Sequence, residues 1–174
     1  MRDAIVLMAS DPHWPDLYLA ARDEVLHLLP EPPRLIEHIG STAVPGLAAK
    51  PVIDIIVLLA DMAPVAAAIP RFEAVGYEFR PDASDPLHLF LRRYGPDGSR
   101  THHLHLHGDA GEVQRRILFR DRLRADAEIR QRYLALKEEL AHRYAGDRAA
   151  YAEGKSAFID AVVLAAGGPA RRGG

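Results

Sequence analysis

The chain has no cysteine among its 174 residues. That excludes disulfides, thiolate zinc sites and a cysteine nucleophile. An excess of one charge is also lacking, since 22 Lys and Arg face 24 Asp and Glu, a net charge of −2. So small an imbalance gives no global attraction to nucleic acid or to an anionic membrane, and any basic function must be local. Aromatics are few, at 7%, and no basic stripe interleaved with them marks a dedicated nucleic-acid surface. No apolar run approaches the about 20 residues needed to span a bilayer. The start carries Arg2 and Asp3 and no sustained apolar region, so no signal peptide is expected. A cytoplasmic protein without a membrane partner is the default. Three signatures are missing as well: the phosphate loop Gly-x-x-x-x-Gly-Lys-Ser/Thr, the dinucleotide fingerprint Gly-x-Gly-x-x-Gly and the nucleophile elbow Gly-x-Ser-x-Gly.

Apolar residues make up 48% and charged residues 26%, the balance of an ordinary globular chain of one domain. Pro12 and Pro15 flank Trp14, which reads as a structural anchor. A helical pattern follows over 16–29, with Leu17, Ala20, Ala21, Val25 and Leu28 as its apolar stripe, and Pro30, Pro32 and Pro33 stop it. Residues 34–39 read as a short strand. The run 52–59 is apolar and rich in β-branched residues, which fits a central strand covered on both faces. A helix over 64–74 has Pro64 in its first turn and Gly76 beyond its end. Strands are predicted over 77–80, 87–94 and 100–107, the last two joined into a hairpin by Gly95-Pro96-Asp97-Gly98. From Gly111 onward no strand pattern remains. Three helices are expected, over 112–125, 126–145 and 147–166, with Asp147 as an N-cap. The fold class is α/β (α+β): a mixed sheet of about five strands flanked by helices, with a helical C-terminal subregion. One domain covers 1–166, and 167–174 read as a disordered tail.

The stretch 37–58 carries the densest chemical information. A strand ends in Gly40-Ser41-Thr42, a small-residue segment follows, and the second apolar run holds one carboxylate, Asp54. A lone buried charge is costly, so Asp54 belongs at a strand end or facing a cation. Gly40 lets backbone approach a ligand, and the Ser41 and Thr42 hydroxyls and amides suit an anion at a helix start.

This segment resembles the hallmark of the GrpB family, Gly-Ser-Thr-x-Val-Pro-Gly-Leu-x-x-Lys-Pro-x-Ile-Asp. Asp11-Pro12-x-Trp14-Pro15, Gly76-Tyr77, His103-Leu104-His105, Phe119-Arg120-Asp121, Leu136-Lys137 and Tyr151-x-x-Gly154-Lys155 extend the resemblance over nearly the whole chain. The family is grouped with the DNA polymerase beta-like nucleotidyltransferases. The resemblance implies that Gly40, Ser41 and Thr42 hold phosphates and that Asp54 holds a divalent metal. In that superfamily two acids at period-two spacing hold Mg²⁺ against a triphosphate. Here positions 52 and 56 are Val and Ile, which puts two-metal transfer in question. Asp54 has a second possible role, orienting the Gly-Ser-Thr loop without metal.

His103, His105 and His107 share one face of their strand, and His102 lies on the other. Imidazoles at this spacing suit a transition metal, a general base or an exposed edge. A strand beside that of Asp54 would bring His103 or His105 to the place of the missing carboxylate. The metal set is then Asp54, His103 and His105, holding Mg²⁺ or a transition metal, with the same three as catalytic candidates. Among many basic residues, Lys50, Arg120, Lys137 and Lys155 fall on family motif positions, where they would clamp the phosphates of a nucleotide or other phosphorylated small molecule. Tyr133 and Tyr151 would stack a base or pack in the core. The function implied is transfer of a nucleotidyl group from a nucleoside triphosphate to a small acceptor. The alternatives are a non-catalytic module binding a nucleotide or a coenzyme-A-like ligand, or a His/Asp transition-metal site with other chemistry.

Overall fold

The computed structural model describes residues 5–172. Residues 173–174 of the expected tail, and Arg2 and Asp3 at the start, lie outside the described residues. Five strands, β1 (Leu35–Ile39), β2 (Ile53–Leu58), β3 (Tyr77–Phe79), β4 (His88–Tyr94) and β5 (Arg100–His107), form one sheet in the order β1-β2-β5-β4-β3. Only β2 and β5 pair in parallel; the other neighbours are antiparallel. This is the mixed five-stranded α+β arrangement that the sequence predicts.

Helix α1 (Trp14–Leu28) starts two residues before the expected Asp16, because Pro15 is tolerated in a first turn whose N–H groups have no helical partner. Its buried stripe is Trp14, Ala21 and Val25, with Tyr18 half-buried, whereas Leu17 is 49% exposed. The helix is therefore rotated from the stripe read off Leu17 and Ala20. Trp14 is the anchor expected of it. The helix predicted over 64–74 is two pieces, α2 (Ala63–Ala67) and α3 (Ile69–Ala74). Pro70 has no N–H for the carbonyl of Ala66 and its ring crowds that carbonyl.

Strand alternation sorts side chains onto two faces. Ile53, Ile55 and Val57 of β2, with Leu104 and Leu106 of β5, pack into the main core with Val25 of α1 and Phe72 of α3. The opposite face carries Asp54 and Ile56 of β2, His103, His105 and His107 of β5, and His88 of β4. Helix α4 (Ala110–Ala125) covers it, with Val113 packed on Ile39 and Ile56.

Helix α5 (Ala127–Arg143) follows, with Asp126 as its N-cap, accepting from the amides of Glu128 and Ile129. The helix expected over 147–166 is split into α6 (Arg148–Glu153), capped by Asp147 as predicted, and α7 (Ser156–Ala165). Glycine weakens a helix interior. At Gly154 a Cβ would also lie 2.6 Å from Cδ2 of Leu140, so the chain passes close to α5 just before Lys155. Val44 and Leu47, from the segment after Gly40-Ser41-Thr42, pack with Phe119, Leu123, Tyr133, Val162 and Val163. This second core docks the C-terminal helices over the loop.

Two residues after α7, Pro169 and Arg172, contact the rest of the chain. Arg115 Nη1 donates to the Pro169 carbonyl at 2.6 Å, and Arg172 pairs with Asp85 and with Asp109. No helix among the described residues is long and apolar enough to cross a membrane.

Candidate functional site

Strand register brings three separate segments together. Asp54 lies opposite Ile39 on β1 and beside His103 on β5. The chain leaves β1 through Gly40, at φ +72°, where a Cβ would sit 2.5 Å from Asp54 Oδ2. Only glycine permits both the backbone and the approach. The helix expected to open at Ser41 is a single 3-10 turn, Ser41–Ala43. Thr42 is buried, and its hydroxyl donates to the Val52 carbonyl at 3.1 Å while meeting His38 Nε2 at 2.9 Å. Its hydroxyl thus fixes the loop to the start of β2.

His103 Nδ1 lies 2.9 Å from Asp54 Oδ1. A carboxylate only accepts, so Nδ1 donates to it, which directs Nε2 away from Asp54 as the ring's second nitrogen. That Nε2 is buried with no hydrogen-bond partner among the described residues. Burial would raise the Asp54 pKa, but the His103 hydrogen bond and charge, with Lys50 and Lys155, hold it below its usual value. Ile56, at the position of a second acid, is fully buried against Ile39 and Val113. A pair of Mg²⁺ ions between two carboxylates does not fit this strand.

Above the dyad is a cavity of about 430 Å³, lined by Gly40, Ser41, Thr42, Lys50, Asp54, His103, Lys137 and Lys155 among others. Eight of the ten residues singled out by sequence therefore share one space. Lys50 precedes β2, Lys137 is on α5 and Lys155 lies between α6 and α7. Lys137 Nζ donates to Ser41 Oγ at 3.2 Å and to the Ala48 carbonyl. Aromatic faces support all three ammonium groups. Lys50 and Lys155 lie 4.9 and 4.5 Å from the Tyr151 ring, and Lys137 lies 5.3 Å from that of Tyr133. Both tyrosines are buried, so they seat the lysines and pack in the core. None of the three lysines forms an ion pair among the described residues. Burial, then mutual repulsion with Lys155, pushes Lys137 down to about 7 and Lys50 to about 8; burial lowers Lys155 too. The cavity is short of negative charge.

Two expected residues fall outside it. Arg120 is buried, but its guanidinium pairs with Glu37 at 2.6 Å and Asp121 at 2.8 Å and donates to the His38 carbonyl at 2.8 Å. It ties α4 to β1. His105 does not join Asp54: its Nδ1 meets His88 Nε2 at 3.0 Å, and its ring centre is 6.5 Å from that of His103. Adjacent same-face positions on a strand diverge when each finds a different cross-strand partner. The expected set of Asp54, His103 and His105 around one metal is thus divided.

Sequence reasoning passed over Arg116 of α4. It lines the cavity, and its Nε is buried without a partner among the described residues. Arg115 beside it is paired with Asp160. Two adjacent arginines in a basic helix give no signal as to which one lacks an acid.

A family model described as GrpB protein matches residues 4–164. The chain belongs to the GrpB family. A UPF0157 protein of Streptomyces coelicolor is 38% identical over 168 residues, covering 96% of this chain and 87% of the relative. The crystal structure of the conserved protein GrpB from Enterococcus faecalis superposes with a TM-score of 0.80 at 33% identity, covering 90% of this chain and 94% of that one. The Cid1 poly(U) polymerase, in a structure with Mg and 3′-dATP bound, gives a TM-score of 0.56 at 16% identity, covering 85% of this chain and 49% of that one. At that identity the likeness is one of fold: this GrpB chain has a nucleotidyltransferase-like fold.

Proposed function

We propose that this GrpB protein binds the polyphosphate of a nucleoside triphosphate in the cavity and transfers its nucleotidyl group to a small acceptor hydroxyl. One observation carries the reading: Lys50, Lys137 and Lys155 converge from three separate segments, without an ion pair among the described residues, on a cavity whose floor is the Asp54–His103 dyad. Buried Lys137 and half-buried Lys50 and Lys155, with no ion-pair partner among the described residues and only the more distant charge of Asp54 favouring Lys50 and Lys155, suit an anion, because a phosphate would offset their desolvation.

In this reading the lysines and Arg116 bind the phosphates. His103 Nε2 takes the proton of the acceptor hydroxyl while that oxygen forms its bond to the α-phosphorus. The bond to the bridging oxygen breaks, pyrophosphate leaves, and the lysines balance its charge. Asp54 holds His103 in the required tautomer. Its Oδ2 also suits a single Mg²⁺ carried in with the nucleotide, which would neutralise phosphate charge; such ions are commonly held by one carboxylate and substrate phosphates.

Isothermal titration with each nucleoside triphosphate and Mg²⁺ tests the binding, and α-labelled nucleotides with a panel of hydroxyl acceptors test the transfer. Label appearing in an acceptor, and lost in His103→Gln, is the expected outcome. The buried Ile56 at the second acid's position favours a different reading, a module that binds a nucleotide without turnover. Tight binding without product under any divalent metal would establish that reading. No binding of any nucleotide would overturn both.

A further inference from the structure

On the sheet face of Asp54, but toward the other end of β5, three imidazoles meet. Antiparallel register sets His88 of β4 directly opposite His107, with His105 two residues away on the same face. One ring nitrogen from each of the three lies within 4.8 Å of the other two. His88 Nε2 and His105 Nδ1 are 3.0 Å apart, and the His88 and His107 rings stack at 4.2 Å. Donors on a tetrahedral ion bound at about 2.05 Å stand roughly 3.3 Å apart. One pair is already near that spacing, and the remaining separations, none above 4.8 Å, would contract by no more than about 1.5 Å on an ion.

His107 supplies an independent observation. It is 3% exposed, and neither ring nitrogen has a hydrogen-bond partner among the described residues. A buried imidazole with both nitrogens unpartnered is costly, and native proteins rarely keep one without a ligand or water. His88 and His105 are only half-buried, which leaves an entry path. Among the described residues, the nearby charges are mixed: Arg116 and Arg172 oppose a cation, Asp85 and Glu112 favour one. Neutral nitrogen donors with no carboxylate among them suit borderline ions and disfavour Mg²⁺, which demands oxygen.

We infer that His88, His105 and His107 form a three-histidine site for a borderline divalent ion of the Zn²⁺ or Co²⁺ class, separate from the Asp54–His103 cavity and bridging β4 to β5. The site does not depend on the reading of the cavity and holds whether or not a nucleotide binds there.

The test uses the full chain without a histidine tag, titrated with Co²⁺ and Zn²⁺ in the presence of excess Mg²⁺. Co²⁺ is expected to bind one per chain with visible absorption typical of nitrogen ligation at low coordination number, Zn²⁺ to displace it, and Zn²⁺ to raise the melting temperature. His88→Gln, a surface-side change suited to keep the fold, should weaken Zn²⁺ by more than the roughly 100-fold that loss of an outer hydrogen-bond partner costs. His107→Asn should do the same. Asp54→Asn should leave the absorption and affinity unchanged. No saturable Co²⁺ or Zn²⁺ binding would overturn the inference. So would binding that survives both histidine changes, or that is lost in Asp54→Asn.

Discussion

Lys137 is 2% exposed, yet its ammonium meets a hydroxyl, a carbonyl and a tyrosine face and, among the described residues, no carboxylate. Burial and the charges of Lys155 and Lys50 bring it to about 7, with only Glu138 opposing. An unfolded lysine keeps its proton to about 10.4. Between those values the unfolded chain binds more protons, so the contribution of Lys137 makes stability rise with pH, and its cost is fully present below about pH 7. In Lys137→Met this contribution is gone. The stability of the wild type relative to the variant should therefore increase from about pH 7 to pH 10, as read by denaturant unfolding at several pH values. The same variant should bind nucleoside triphosphate more weakly by about 1.5–3 kcal/mol, the value of a charged hydrogen bond. Arg120 is the counter-case. Its charge is already matched by Glu37 and Asp121. Arg120→Met should lower unfolding free energy by about 1–3 kcal/mol and leave nucleotide affinity unchanged.

Helix α5 carries Tyr133 and Lys137 into the cavity, and its start is fixed by Asp126. Asp126→Ala should cost about 1 kcal/mol of stability with nucleotide affinity intact below the melting range, because the cap lies away from the cavity residues. A thermal melt paired with a titration reads both. At this scale the sequence was informative where a local rule governs. Period-two alternation marked β5 without error in its bounds, and Gly40-Ser41 followed by a β-branched run placed Asp54 beside the loop. Breaks at Pro70 and Gly154 were missed because helical periodicity on either side outweighed a single residue in the reading, while in the fold the backbone does not ignore them. Contacts between distant residues were not legible. Arg120 and Glu37 are 83 positions apart, and only the packing of α4 on β1 pairs them. Likewise His105 turned to His88 because of a hairpin register that the β4 sequence alone does not state.

Across the whole molecule, a net charge of −2 hides a strongly local distribution. Acids lie in pairs with surface and inter-element arginines, such as Glu24 with Arg93 and Asp160 with Arg115. Lys50, Lys137, Lys155 and Arg116, which form no ion pair among the described residues, gather between one face of the sheet and the C-terminal helices, around the Asp54–His103 dyad. That separation is what turns a nucleotidyltransferase-like fold into a candidate polyphosphate site. It also makes binding proton-linked. Lys50 at about 8 and Lys137 at about 7 are partly neutral in the free protein near pH 8. A bound polyphosphate favours their charged forms, so affinity should fall as pH rises from about 7 to 9.

The most direct measurement is titration calorimetry of a nucleoside triphosphate with Mg²⁺ at about pH 8, in buffers of different ionisation enthalpy, on the wild type and Lys137→Met. The account predicts saturable binding with net proton uptake by the protein, and weaker binding with less uptake in the variant. Binding that takes up no protons and is untouched by Lys137→Met, or no binding at all, would contradict it.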